Sequence, residues 1–256
     1  MTPADAPTPT PHPAPSKPAA APETQRAGDL LFAHGFGTRR LCAGLLRRGE
    51  VVWQGQTVTD ADQPLPVSGT WTVQGHEWPL ALHPLVMLHK PAGFECSLKP
   101  RHWPSVLSLL PPALRQRGMQ CVGRLDQDTT GLLLLTDDGQ MLHRLTSPRW
   151  HVPKIYRVDT ARDITPDQLA RLQEGVVLAD DPGPVAAQSA LQTAPRQLCL
   201  TLTQGKYHQV KRMIAAVGNH VLGLHRERIG ALDLPADLPP GQWRWLESAA
   251  PLLPAA

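Results

Sequence analysis

Four consecutive leucines, Leu132-Leu133-Leu134-Leu135, constrain this chain more than any other feature. A strand that apolar must be buried. The polar loop that feeds it, Gly123-Arg124-Leu125-Asp126-Gln127-Asp128-Thr129, is then held rigidly at one end. A carboxylate fixed on a rigid element, with an arginine two residues back, suits a catalytic acid/base or nucleophile. The competing reading makes Asp126 and Asp128 turn residues that satisfy local backbone donors. Gly123 and Gly131 allow close approach of a ligand or a second backbone.

At 256 residues the chain holds one large domain or two smaller ones. Eight of its 28 prolines fall in the first 22 residues, among Ala and Thr, so residues 1–26 are expected to be a disordered Pro/Ala-rich tail. That tail has neither the basic start nor the apolar run of a secretory signal, and no later stretch approaches a membrane span, so a cytoplasmic location without membrane contact is expected. The four cysteines, Cys42, Cys96, Cys121 and Cys199, form no C-x-x-C pair; they read as buried free thiols rather than a metal site or disulfide framework. Residues 27–83 hold four Arg against five acids, whereas residues 84–256 hold 19 Lys and Arg against 15 acids. The second part can therefore meet an anionic partner, if its charges cluster.

The pattern divides the chain into the tail, a small module at 27–80 and a larger domain at 84–250. In the module, two short helices break at Gly35-Phe36-Gly37, with Thr38 as N-cap of the second. Arg39, Arg40, Arg47 and Arg48 flank that helix, and a hairpin turning near Gln54-Gly55 follows. The larger domain opens with a strand at 85–89, stopped by Lys90-Pro91-Ala92-Gly93. Further strands are predicted near 120–123, 132–136, 154–160, 196–203 and 220–225, and helices at 138–146, 165–174 and 206–216. Thr165, Pro166 and Gln168 form a full helix start signal. Mixed strands and helices without βαβ spacing indicate an α+β fold around an antiparallel or mixed sheet.

Two further clusters carry chemistry. Gln204-Gly205-Lys206-Tyr207-His208-Gln209-Val210-Lys211-Arg212-Met213 places Lys206, His208, Lys211 and Arg212 within two helical turns if it opens a helix. Val210, Met213, Ile214 and Val217 would form the core-facing stripe. With His225, Arg226 and Arg228, the cluster reads either as a solvated charged face or as a phosphate-binding patch. In Lys154-Ile155-Tyr156-Arg157-Val158, alternation puts Tyr156 with Lys154 and Val158 on one face. Tyr156 is then a core aromatic or a platform for a nucleobase.

These strings together resemble the pseudouridine synthase family, of the type acting on small-subunit (16S) ribosomal RNA. The resemblance rests on His89-Lys90-Pro91-Ala92-Gly93, Gly123-Arg124-Leu125-Asp126, Asp128-Thr129-Thr130-Gly131, Lys154-Ile155-Tyr156, the 205–213 string, and the run from Ala215 to Gly230. It covers roughly residues 28–248. It implies a mixed, largely antiparallel sheet with flanking helices, preceded by a small helix-hairpin RNA-binding module similar to part of a ribosomal protein. It implies Asp126 as the catalytic aspartate, Tyr156 as the tyrosine stacking on the target base, and Lys211 as the basic partner of Asp126. Leu224 would line the pocket and Arg124 would hold the flipped nucleotide. Lys206, Tyr207, His208, Arg212 and Arg226, with Arg39 and Arg40 of the module, complete the expected RNA-binding set. Lys206 stands where relatives often carry Arg.

The reaction so implied is isomerisation of one uridine, without cofactor or metal. The expected partner is ribosomal RNA or a small-subunit assembly intermediate, not DNA, and the expected state is a monomer. Three alternatives remain at this level: a sister enzyme acting on large-subunit RNA, a non-catalytic RNA-binding assembly factor, and a glycosidase-like hydrolase using Asp126 and Asp128. Carboxylates two residues apart are expected to diverge, which disfavours the last.

Overall fold

The computed structural model describes residues 23–80, 83–179 and 181–252. The small module runs through β1 (Thr24–Arg26), α1 (Ala27–Ala33), α2 (Arg39–Arg47), β2 (Val51–Trp53), β3 (Gln56–Thr57), β4 (Pro64–Pro66), β5 (Thr70–Val73) and β6 (His76–Pro79). The expected tail lies outside the described residues as far as position 22, but its last part does not belong to a tail. β1 ladders antiparallel with β4, which gives the backbone at 24–26 hydrogen-bond partners. Strands β3-β2-β5-β6 form a four-stranded antiparallel sheet. Thr38 caps α2 by accepting from the Leu41 amide. Leu30, Leu31, Cys42, Leu46, Val51, Leu65, Trp71 and Val73 close a core between helices and sheet.

The larger part continues with β7 (Leu85–Lys90), α3 (Pro112–Gln116), β8 (Gln120–Cys121), β9 (Thr130–Thr136), α4 (Gly139–Thr146), β10 (Lys154–Thr160), α5 (Pro166–Glu174), β11 (Ser189–Ala194) and β12 (Gln197–Leu202). It ends with α6 (Gln209–Ala216), β13 (Val221–Ile229), β14 (Leu232–Asp233) and β15 (Trp243–Trp245). Nine strands form one sheet in the order β11-β12-β10-β13-β9-β7-β15, with β14 on β13 and β8 on β9. All its described pairings are antiparallel except β9 with β13. The architecture is the expected α+β class with a mixed, largely antiparallel sheet.

The leucine run explains itself in this sheet. Leu133 and Leu135 enter one core with Val86, Leu88, Val158 and Met213. Leu132 and Leu134 enter another with Leu85, Met87, Leu145 and Ile229. β9 is thus covered on both faces, and each buried leucine contributes about 1.5–3 kcal/mol. The two parts of the chain meet at α3 and β15. Trp78 packs edge-on against Phe36 and Trp245, with centroids 5.0 and 5.8 Å away. Arg117 donates to His34 Nδ1 at 2.9 Å, and a Cβ added at Gly35 would stand 2.2 Å from the Ala113 carbonyl oxygen. No described helix is long and apolar enough to cross a membrane.

Candidate active site

The one parallel strand pairing described in the large sheet places the Asp126 loop. β9 and β13 share only two register pairs, Thr130 with His225 and Gly131 with Arg226. Their close approach needs glycine at 131: φ is +107°, and a Cβ there would lie 2.2 Å from the Arg226 carbonyl oxygen. Thr130 Oγ1 and His225 Nδ1 hydrogen-bond across the seam at 2.8 Å. The loop enters β9 just before this junction, so Asp126 stands at the seam.

The loop is held from below by Lys90, at the end of β7. The Lys90 side chain is fully buried, and its ammonium donates to the carbonyls of Pro91, Gln127 and Thr129 at 3.0, 3.2 and 2.8 Å. Burial pushes its pKa below the usual lysine value, and the negative groups nearby, Asp128 and Asp126 among them, oppose that shift. The Gly93 amide donates to Gln127 as well, at 2.8 Å. On the other side, the Leu125 amide donates to Cys96 Sγ at 3.5 Å. Cys121 hydrogen-bonds the same sulfur, so these two thiols adjoin in space despite their separation in sequence. All four cysteines are free, but only Cys42 is fully buried.

Two side chains engage the Asp126 carboxylate. Lys211 Nζ lies 3.1 Å from one oxygen and His208 Nε2 lies 3.2 Å from the other. Lys211 also reaches Asp128 Oδ1 at 2.7 Å, so the two carboxylates converge on one ammonium instead of diverging. Burial opposes the charge on Lys211, but hydrogen bonds to Asp128 and Asp126 outweigh it and raise its pKa. Burial likewise opposes the charge on Asp128, and the Lys211 hydrogen bond prevails, lowering its pKa.

Lys211 is presented by α6, which starts later than the sequence suggests. Lys206–His208 form a turn, and His208 adopts a left-handed conformation (φ 46°, ψ 35°) before the helix begins at Gln209. The Gln209 side chain accepts from the Lys206 amide at 2.9 Å, which fixes that turn. Val210, Met213, Ile214 and Val217 are buried as expected and seat the helix.

Asp126, Tyr156, Lys154, Leu224, Arg226, Arg124, Tyr207, His208 and Lys211 line one cavity of about 460 Å³, within the range of small-ligand sites. Tyr156 of β10 is 9% exposed and borders it. Behind it lies Arg226, only 2% exposed. Its Nε donates to the Leu132 carbonyl at 2.8 Å, its Nη1 lies 3.5 Å from the Tyr156 hydroxyl, and its Nη2 has no partner among the described residues. Lys154 donates to the Val152 carbonyl at 2.8 Å, and burial, then Arg226, lower its pKa to about 8.

The structure distributes the expected basic patch differently. Lys206 and Arg212 both turn to Asp181, and Arg212 also donates to the Ala179 carbonyl. Arg228 pairs with Asp233. Arg226 is an interior group, not a surface one. These cations bond within the protein because the 176–185 loop and β14 bring acids and carbonyls that spacing along the sequence does not reveal. Tyr207 is 72% exposed and stacks on the His208 ring at 3.9 Å. Arg124 is exposed at the rim, with no described hydrogen bond or ion pair. In the module, Arg39 pairs with Asp29 and lies over the Phe32 ring, while Arg40 is exposed. Sequence reading missed Lys90 and the inward role of Arg226. The signal for Lys90 was present: a lysine ending an otherwise apolar strand, Leu85-Val86-Met87-Leu88-His89-Lys90.

A family model described as RNA pseudouridylate synthase matches residues 84–216. The ribosomal small subunit pseudouridine synthase A of Escherichia coli K12 is 41% identical over 220 residues, covering 84% of this chain and 94% of that protein. The protein of the same name from Vibrio parahaemolyticus is 39% identical, covering 82% and 90%. A crystal structure of a pseudouridylate synthase superposes with a TM-score of 0.62 at 33% identity, covering 88% of this chain and 97% of the other.

Proposed function

The chain belongs to the RNA pseudouridylate synthase family, and from that premise we propose that it converts one uridine of small-subunit ribosomal RNA to pseudouridine, with Asp126 as the reacting carboxylate. The observation that carries this reading is the convergence of Lys211 and His208 on Asp126 in a cavity that Tyr156 also borders. The small-subunit assignment over a large-subunit one follows the names of relatives about 40% identical.

In the proposed reaction the bond between uracil N1 and ribose C1′ breaks. The uracil turns within the cavity, and its C5 bonds to C1′. C5 then loses its proton and N1 gains one, so no atom leaves overall and no electron acceptor is needed. The target base must first leave its stack, at a cost of a few kcal/mol. Stacking on Tyr156 offsets part of that cost. Lys211 and His208 orient the Asp126 carboxylate, Lys90 holds the loop beneath it, and Arg226 holds Tyr156. Arg124 at the rim meets the phosphate or sugar of the extruded nucleotide.

We further propose a division of labour between residues 84–250, which carry the chemistry, and residues 27–80, which bind RNA through Arg39 and Arg40. A monomer acting on ribosomal RNA or an assembling small subunit fits this division. Mapping pseudouridine in ribosomal RNA, with and without this protein, tests the function. Loss of a single pseudouridine from the small-subunit RNA is expected. A lost site in the large-subunit RNA alone, or no lost site, rejects the assignment.

A further inference from the structure

We propose that the open face of Tyr207 binds the nucleobase next to the extruded uridine, taking the place of the stacking partner that base loses. This inference rests on the reading of the cavity as a uridine site. When a nucleotide flips out, its neighbour in the strand keeps one uncovered face. A tyrosine held rigidly at the mouth of the cavity can cover that face.

Tyr207 meets those conditions. It borders the same cavity as Asp126 and Tyr156, yet is 72% exposed, whereas Tyr156 is buried at 9%. The two tyrosines thus sit at different depths, and only the inner one is placed to serve the target base. One face of Tyr207 is occupied by the His208 ring, with centroids 3.9 Å apart and planes 18° from parallel. The imidazole is itself fixed by Asp126 at 3.2 Å. The backbone is fixed as well: Arg212 donates to the Tyr207 carbonyl at 3.2 Å, and His208 holds its left-handed conformation. An exposed aromatic ring pinned this firmly loses little freedom on binding, which favours stacking. The chain Asp126, His208, Tyr207 also ties the platform to the reacting carboxylate, so the neighbouring base and the target are positioned together.

The test is a cycle between protein and RNA. Synthetic stem-loops spanning the mapped uridine carry 5-³H label there, with a base or an abasic site at the position before or after it. Tritium release gives kcat and KM for the wild type, Tyr207→Leu and Tyr207→Phe. On intact RNA, Tyr207→Leu is expected to raise KM about tenfold or more, and Tyr207→Phe to restore it. On one of the two abasic RNAs, the wild type is expected to show the same loss and Tyr207→Leu to add nothing to it. Equal losses for Tyr207→Leu on the intact and both abasic RNAs would overturn the stack while leaving the uridine site standing. No change from Tyr207→Leu on any RNA would do the same. No tritium release by the wild type would overturn both readings.

Discussion

At the scale of single residues, the site is built from charges that constrain one another. The pairing of Asp126 with Lys211 was expected from the family resemblance, since their own strings read equally as turn residues and a solvated face, and the structure brings the two groups to 3.1 Å. The interior roles of Lys90 and Arg226 were not read, although Lys90 stands out at the end of an apolar strand, because their partners are backbone carbonyls and a tyrosine brought together only by the fold. Arg226→Met separates positioning from stability. Removing this buried, incompletely paired cation relieves the cost of its desolvation but leaves the Leu132 carbonyl without its donor, and the two effects oppose each other. The variant is therefore expected to keep its Tm within a few degrees. It releases Tyr156, so kcat is expected to fall roughly 100-fold; thermal melts and tritium release measure the two quantities. Lys90→Met removes the donor common to three carbonyls around the Asp126 loop. Its kcat is expected to fall by a similar factor with a smaller change in KM, and single-turnover rates at saturating RNA check this.

At the scale of elements, the seam between β9 and β13 matters most. Its two-residue parallel ladder depends on a glycine at 131. Gly131→Ala would drive a methyl group into the Arg226 backbone in a conformation unfavourable to alanine. A loss of about 3 kcal/mol is expected, read as a lowered midpoint in urea, together with lost turnover. The leucine run made β9 legible, and the T-P-D-Q start signal made α5 legible, since its capping box forms as expected. The start of α6 was misplaced by three residues. Lys206–His208 carry no sequence mark of a turn, and what fixes them is the Gln209 side chain and the salt bridges to Asp181. β11 and β15 escaped notice because Ser189–Ala194 and Trp243–Trp245 alternate weakly and take their conformation from the strands they pair with.

At the scale of the whole molecule, two histidines tie integrity to pH. Burial, then Arg117, lowers the pKa of His34 to about 4 where the module meets α3. Burial, followed by Arg157 and His89 and opposed in part by Asp159, does the same to His225 beside the seam. In the unfolded chain both titrate near 6.5. Between about pH 6.5 and 4 the unfolded chain binds more protons, so stability falls as pH falls through that window. The loss is at most about 1.4 kcal/mol per pH unit for His34, and smaller for the half-buried His225, whose environment solvent screens. Above pH 7 neither contributes a slope. Urea unfolding at pH 7 and pH 5 should show this loss in the wild type and a smaller one in a His34→Gln, His225→Gln double variant.

The most direct measurement compares Asp126→Asn with the wild type on 5-³H-uridine-labelled small-subunit ribosomal RNA, following tritium release and RNA affinity in parallel. Asparagine keeps the shape and removes the charge that Lys211 and His208 converge upon. Release is expected from the wild type and none from the variant, with RNA affinity retained. Release from the variant at a near-normal rate would contradict the role given to Asp126.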